Sequence, residues 1–579
     1  MKILLVAINA KYIHSNLAVY SLRAYARKYM EPGLPVEIEI GEYTINNRVD
    51  EILEGIYKSK PDVLCFSCYI WNIAYVEELM REYHKLCQAV PIWVGGPEVS
   101  YETETFLKDH PETTGAMLGE GEQTFLELCI YYGKQKTADG VEGMENIAGL
   151  ACQAGGQVHF TNPREPMDMS RIPFCYEQVE NFKNRIIYYE SSRGCPFRCS
   201  YCLSSVEKQL RFRDLALVKE ELTFFLEKEV PQVKFVDRTF NCNHVHAMEI
   251  WQFIKEHDNG VTNFHFEISA DLLTEEELNL LGGMRPGLVQ LEIGVQSTNA
   301  PTIQEIHRTM KLDRLKEVVR TIQRGGNIHE HLDLIAGLPY EDYDTFAKSF
   351  DEIYAWKPNQ LQLGFLKVLK GSYLYEHRKD YGMIYRDVAP YEVMRTDWLD
   401  FSDILRIRQV EEMLEVYYNS GQYEVTMKLL ETQFDSAFAM FQQFGEYYEK
   451  KGYFSMSHSR IRRAEILLEF AEERVAQALP VLKEGLIFDL YARENLKSRP
   501  NWAADLSEWK AVTRFYCKNG KQSHVERFFY RFPGKEQHSI GRLPTREEKP
   551  VYIRFDYTNR NPLDHQAMWE YVKEGQIEE

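Results

Sequence analysis

The sequence holds no uninterrupted apolar stretch near the ~18 residues needed to cross a bilayer, which excludes a membrane-spanning helix. Export is not expected either. Met1 to Asn9 carries one basic residue, Lys2, and no small-residue cleavage site, so it reads as a buried strand and the expected compartment is the cytoplasm. Basic residues are in short supply: 68 Lys and Arg stand against 87 Asp and Glu, and the formal charge of −19 argues against broad capture of nucleic acid or an anionic membrane. There is no phosphate loop, nucleic-acid module, internal repeat or low-complexity tract. The eleven cysteines are an odd number for a disulfide framework, so reduced thiols or metal ligands are expected.

What is present is an ordered, multidomain chain. With 44% hydrophobic and 27% charged residues the composition is that of a globular protein, and 579 residues are too many for one core. Residues 1–135 alternate strand-like runs (Ile3 to Ile8, Val36 to Ile40, Val63 to Ser67, Ile92 to Val94, Ala116 to Leu118) with amphipathic stretches at 17–29 and 75–89. That is the pattern of a five-stranded, doubly wound parallel sheet, whose ligands sit beyond the carboxyl ends of the strands. Ser67-Cys68-Tyr69, Gly95-Gly96-Pro97 and Gly119-Glu120-Gly121-Glu122 fall there. Residues 136–182 read as a linker holding a small hairpin at 147–152 and 157–159. Over 183–365 a second strand-helix series begins with Ile186 to Tyr189 and continues through Val233 to Val236, Phe264 to Ile268, Leu288 to Ile293, His331 to Ile335 and Leu361 to Val368, suggesting a partial or full TIM-type barrel. Residues 366–579 read as a mostly helical domain, with helical stretches at 391–418, 422–451 and 458–478 before strand-like runs at 526–532 and 551–557.

The strongest chemical signal is Ser192-Arg193-Gly194-Cys195-Pro196-Phe197-Arg198-Cys199-Ser200-Tyr201-Cys202, directly after a predicted strand. Three thiolates so spaced can hold three corners of an iron–sulfur cubane and leave one iron open to a small molecule. Zinc is one alternative, with Cys242 as the next candidate ligand and His244 and His246 beside it, and three unligated buried cysteines are another. The loop resembles the radical S-adenosylmethionine (SAM) signature, an aromatic residue preceding its last cysteine. The resemblance implies a 4Fe–4S cluster on Cys195, Cys199 and Cys202 whose open iron binds SAM and cleaves it to a 5′-deoxyadenosyl radical.

The same resemblance assigns SAM contacts. Tyr201 is expected against the adenine, and Asp237 takes the place of the usual Gly-Gly-Glu at the second strand end. Glu267 and Ser269 end the third strand. Glu292, Gly294 and Gln296, on one face of the fourth by the two-residue period, and Asp333 on a later one complete the set. A solvated turn for Asp237, and a polar row that merely satisfies barrel-interior hydrogen bonds for the others, are the plainer readings. No protein side chain is assigned as catalytic.

Residues 1–135 resemble the cobalamin-binding domain that precedes the barrel in a large radical SAM subclass. Ser67, Gly95, Gly96, Gly119 and Gly121 are the implied cobalamin contacts; tight βα turns are the structural alternative for the glycines, and favourable helix N-terminal placement for Glu120 and Glu122. The D-x-H-x-x-G motif of histidine-ligated cobalamin is missing. His14 is the nearest candidate ligand, and a structural hydrogen bond its ordinary role. The implied activity is cobalamin-dependent methyl transfer to an unactivated carbon of a small, natural-product-like substrate, fed by flavodoxin or ferredoxin. Cobalamin-independent oxidation or rearrangement, and a non-catalytic cobalamin or Fe–S sensor, are the alternatives. An RNA methylthiotransferase would need a second cysteine triad, and Cys65, Cys68 and Cys87 read as packing residues.

Overall fold

The computed structural model describes residues 1–134, 143–510, 522–532 and 541–572. They form two compact units, Met1–Glu292 with Pro301–Lys311 and Phe365–Asp397, and Ile293–Ala300 with Leu312–Gly364 and Trp398–Glu579.

In the first unit, β1 (Lys2–Asn9), β2 (Glu37–Thr44), β3 (Val63–Ser67), β4 (Ile92–Gly95) and β5 (Gly115–Met117) form a parallel sheet in the order β2-β1-β3-β4-β5. Its inner strands β1, β3 and β4 are near-continuous apolar runs because both faces are covered, whereas the edge strand β2 alternates apolar and acidic residues. Ile3, Leu5 and Ala7 enter one core with Tyr25 and Phe125, while Leu4, Val6 and Ile8 enter the other with Ile52, Val76 and Leu79. Beyond β5 the sheet does not stop. β6 (Leu150–Ala154) and β7 (Gln157–Phe160) add antiparallel to its edge, so the expected hairpin is part of a seven-stranded sheet and not of a free linker. The expected boundary at 135–136 lies outside the described residues.

The same unit starts the second series with β8 (Ile187–Tyr189), β9 (Ser192–Arg193), β10 (Arg211–Phe212), β11 (Gln232–Phe235), β12 (Asn263–Ile268) and the first half of β13 (Val289–Gln296). β8, β11 and β12 are parallel, with Val233 in register with both Ile187 and Phe264. Tyr188, Lys234 and His265 therefore share the opposite face.

In the second unit the sheet order runs from β13 through β14 (His329–Ala336) to β15 (Gln360–Phe365). Helices follow at Phe401–Leu414, Glu424–Glu431, Ala437–Lys451, Arg460–Arg474 and Leu479–Arg493, then an antiparallel sheet of Ser523–Phe528, Val551–Arg560 and Ala567–Tyr571. The stretch expected to be helical from Tyr391 starts only at Phe401, where Asp400 supplies a capping box with Asp403. The stretch expected at 422–451 is broken before Ser436, whose hydroxyl caps a new helix at the Ala439 N–H. No helix among the described residues is long and apolar enough to cross a membrane.

Candidate active site

The cysteine loop leaves β8 and folds back on itself. Gly194 sits at φ +91°, and a Cβ there would stand 2.5 Å from the Gln209 carbonyl oxygen, so glycine is what lets the two arms touch. Those arms pair as β9 and β10, Arg193 opposite Arg211. Farther along, the Ser200 N–H donates to the Ile306 carbonyl and the Leu374 N–H donates to the Ser200 carbonyl, each at 2.9 Å. The loop is thus held at base and tip, with Cys199 buried and Cys195 and Cys202 half-buried.

Beneath it lies Asp237. Its Oδ1 accepts from the Ser191 hydroxyl (2.7 Å) and the Ser192 hydroxyl (2.6 Å), and its Oδ2 from the Ser191 N–H (3.0 Å). Both oxygens are engaged by the residues that launch the loop, and the geometry gives Asp237 the role of clamp. Burial raises its pKa against the pull of those donors. His246, lowered to about 4 by burial and therefore neutral, stands with Nε2 3.0 Å from the Ser191 hydroxyl.

The donor set fits iron better than zinc. A tetrahedral zinc with Zn–S bonds of about 2.3 Å would hold its thiolates about 3.8 Å apart; among the described residues no three cysteine thiols lie within 4.8 Å of one another. Of the two histidines beside Cys242, His244 places Nδ1 3.0 Å from Glu277 and His246 places Nε2 3.0 Å from the Ser191 hydroxyl. Burial pushes the Cys195 thiol up, the Phe197 N–H and Thr239 hydroxyl oppose it, and charge on Cys202 and Cys199 adds to it. Thiolates gathered in such a loop need a cationic centre to stay ionised, and iron supplies one.

Around the strand ends of the first unit, Asn241 was not foreseen. Its side chain accepts from the Ser269 N–H and donates to the Ser269 carbonyl, each at 2.9 Å, while the Ser269 hydroxyl donates to Asp271. Glu292 lies 2.8 Å from Lys234 Nζ and 3.0 Å from His265 Nε2. Burial alone would raise Glu292, but these two neighbours hold it well below the usual carboxylate range. Glu267, buried beside charged Glu292, is pushed up to about 7. Arg308 was also missed: its Nη1 reaches the Tyr201 hydroxyl at 3.2 Å and Cys199 Sγ at 3.7 Å. It lies more than a hundred residues from the cysteines, and nothing local to it signals the contact.

In the second unit, Gly294 and Gln296 lie on the less buried face of β13. Gln296 is a non-glycine residue at φ +74°, with a buried Oε1 that has no hydrogen-bond partner. Backbone strain and an orphaned buried acceptor thus coincide at this one residue. Asp333 has His331 Nε2 3.3 Å from its Oδ1.

At the carboxyl edge of the N-terminal sheet, Gly119 (φ +70°) has no heavy atom within 4 Å of a built Cβ, as an open cradle requires. Gly96 (φ +118°) is different. A Cβ there would strike the Cys68 carbonyl, so its freedom serves packing of β3 against β4. Gly95 and Gly121 have Met117 and Leu22 as their nearest neighbours, and Ser67 Oγ accepts from Asn16 at 3.5 Å. His14 Nδ1 is hydrogen-bonded to the Tyr188 hydroxyl with the rings stacked, the structural use of a histidine. Tyr12, Ile13 and Trp71 are exposed here, and Trp71 stacks on Tyr69 at 4.4 Å, so this edge offers the apolar rim that a large flat macrocycle needs. Cys65 and Cys68 are buried packing thiols, Cys65 pushed up to about 12 by burial.

Residues 3–129 match the B12 binding domain, residues 189–353 the radical SAM superfamily, and residues 379–561 a family of unknown function, DUF4080. The chain belongs to the cobalamin-dependent radical SAM family. Its cofactors are a 4Fe–4S cluster, SAM and cobalamin. It is 25% identical over 321 residues to the uncharacterized methyltransferase PH0819 of Pyrococcus horikoshii, covering 53% of this chain and 68% of that one. It is 25% identical over 322 residues to the cobalamin-dependent radical SAM methyltransferase TokK of Streptomyces tokunonensis, covering 52% of this chain and 45% of TokK. The chain thus spans less than half the length of TokK. The structure of the cobalamin-dependent SAM radical enzyme OxsB with aqua-cobalamin bound aligns at TM-score 0.58 and 15% identity over 85% of this chain and 80% of OxsB, a likeness of fold.

Proposed function

We propose that this protein is a cobalamin-dependent radical SAM methyltransferase that acts on an unactivated carbon of a small, natural-product-like molecule, with a flavodoxin or ferredoxin as electron donor. The observation that carries the reading is the packing of the cysteine loop directly onto carboxylates of the B12-binding sheet, through Arg193 and Glu122 at 2.6 Å. Methyl transfer in particular is supported by the methyltransferase names of the distant relatives. When bound, the cluster and SAM supply a 5′-deoxyadenosyl radical and cobalamin supplies the methyl group.

The residues divide the work. Cys195, Cys199 and Cys202 hold three corners of the cluster and leave the fourth open. Arg308, a guanidinium at the rim of that loop, is suited to the SAM carboxylate, which it can meet with two parallel donors. Tyr201 would lie along the adenine. Trp71 and Tyr69 would offer an apolar face to the corrin, and Gly119 would leave room for its tail.

Anaerobic reconstitution tests the proposal. Four irons and one cobalt per chain are expected, with 5′-deoxyadenosine formed on reduction with SAM and lost in Cys199→Ala. With methyl-deuterated SAM the cobalamin recovered from the protein should carry the labelled methyl group. Deoxyadenosine without cobalt would replace methyl transfer by cobalamin-independent oxidation or rearrangement, and iron with no SAM cleavage would leave a sensor.

A further inference from the structure

Arg193 and Arg211 stand opposite each other across β9 and β10, where two like charges repel. Neither is left to water. Arg193 donates to Glu122 through Nη2 (2.6 Å) and Nη1 (3.3 Å), donates to Glu190 through Nε (2.9 Å), and keeps Nη1 3.2 Å from Glu120. Arg211 donates to Glu120 at 2.7 Å, to the Met167 carbonyl at 2.6 Å, and to Glu207. Glu120 also accepts the Met167 N–H at 2.8 Å, and Glu122 the Ser21 hydroxyl at 3.0 Å. These are not rim contacts, for the Glu122 side chain is 5% exposed and that of Arg193 16%.

Two of the carboxylates belong to the B12-binding sheet domain, Glu120 in the turn after β5 and Glu122 in the first turn of the helix Gly121–Lys134. The guanidinium they grip is two residues from Cys195, and the residue between, Gly194, is held by contact with the opposite arm of the hairpin. A displacement of the turn is therefore passed to the first cluster ligand with little slack. Charge travels the same way. Arg193 and Arg211 bring two positive charges, while Glu120, Glu122, Glu190 and Glu207 bring four negative ones, so this ion-pair cluster carries an excess of two negative charges at the base of the loop. Net charge near an iron–sulfur cluster and the placement of its ligands both set its potential.

We propose that Glu120, Glu122 and Arg193 form a positioning latch through which docking of the B12-binding sheet sets the geometry and reduction potential of the cluster. The inference rests on the reading of the loop as the cluster site. A carboxylate of the sheet domain acts on the iron through an arginine, without touching cofactor or substrate. Arginine is needed at position 193 because only its fork satisfies three carboxylates at once; lysine would keep the charge but offer a point donor.

The test uses the full-length, reconstituted protein and follows the cluster signal by EPR during a redox titration, with and without SAM. Glu122→Gln and Arg193→Lys are compared with wild type and with Glu127→Gln, which breaks a pair with Arg164 on the same helix away from the loop. Glu122→Gln should keep its iron, move the midpoint to a less negative potential and alter the SAM-dependent change in the EPR spectrum. Arg193→Lys should shift it less than Arg193→Gln, and Glu127→Gln should match wild type. If Arg193→Gln fails to hold iron, Glu122→Gln decides. Full iron with a wild-type midpoint and spectrum in Glu122→Gln overturns the latch alone, whereas wild type without any cluster signal sinks the functional reading as well.

Discussion

Asp237 separates two accounts of the site, and its amide variant tells them apart. In the structure the carboxylate takes three donors, two on Oδ1 and one on Oδ2. Asparagine keeps one acceptor. With its oxygen in the Oδ2 place the Ser191 N–H is still satisfied, and the amide NH2 must donate to the Ser191 and Ser192 hydroxyls, which then turn. The turned Ser191 hydroxyl points to His246 Nε2, 3.0 Å away, so the imidazole must present that nitrogen bare. The bonds survive in number but lose their charge assistance, at about 1 kcal/mol each, offset in part because a neutral amide avoids the cost of burying a charge. A net loss of about 1–2 kcal/mol follows, which means about 5- to 30-fold faster hydrogen exchange at the Ser191 amide if that amide opens locally. Asp237→Ala leaves the N–H and both hydroxyls without the acceptor and should cost about 3–5 kcal/mol, with poor retention of iron. If the carboxylate only clamps the strand, SAM affinity of iron-loaded Asp237→Asn stays within about threefold of wild type. Unchanged exchange at Ser191 with a loss of SAM affinity of about tenfold or more would refute the clamp and restore the ammonium contact.

Gly194→Ala should lower the iron retained after reconstitution while leaving cobalamin binding intact, since a left-handed backbone costs an alanine about 1–2 kcal/mol and its Cβ meets the Gln209 carbonyl; full iron content would count against the close approach of the two arms. Glu267 has a folded pKa raised from 4.5 to about 7, so the stability it contributes is complete below pH 4.5 and is lost as pH rises through about 7. Glu267→Gln should therefore have a urea midpoint that moves upward relative to wild type between pH 5 and pH 8, and a constant difference across that range would refute the assignment. In the second unit, buried Asp489 accepts the Val425 and Thr426 N–H groups and the Thr426 hydroxyl at the start of Glu424–Glu431. Asp489→Ala should cost about 2–4 kcal/mol and expose the helical region to limited proteolysis without changing iron content; equal protease resistance would show the cap to be dispensable.

What could be read from the chain without coordinates follows from range. Strands β1, β3 and β4 were legible because apolar runs buried on both faces leave little choice of conformation, and the cysteine loop because its three ligands and its aromatic residue lie within eight positions. The hairpin at 150–160 was legible as a hairpin, but not as an edge of the first sheet, since its partner β5 is set by tertiary packing. Breaks in the helical stretches were marked by Asp400 and Ser436, cap residues that a long apolar period overrides in a sequence reading.

The glutamates of Gly119-Glu120-Gly121-Glu122 mark where such reading ends. In the sequence they sit at the start of a helix, where a carboxylate is favourable with no partner at all, and that local explanation was sufficient. Their arginines lie 71 and 91 positions away. Arg193 was visible in the cysteine motif, but as part of a loop and not as a receptor for carboxylates. Asp237 shows the converse, since its place at a strand end near the cluster suggested a ligand contact, while its two oxygens are spent on backbone and hydroxyl donors of the preceding strand. A charged side chain near a cofactor is thus assigned by the inventory of its own hydrogen bonds. By that inventory Gln296 differs from Asp237, for its buried oxygen has no partner in the described structure.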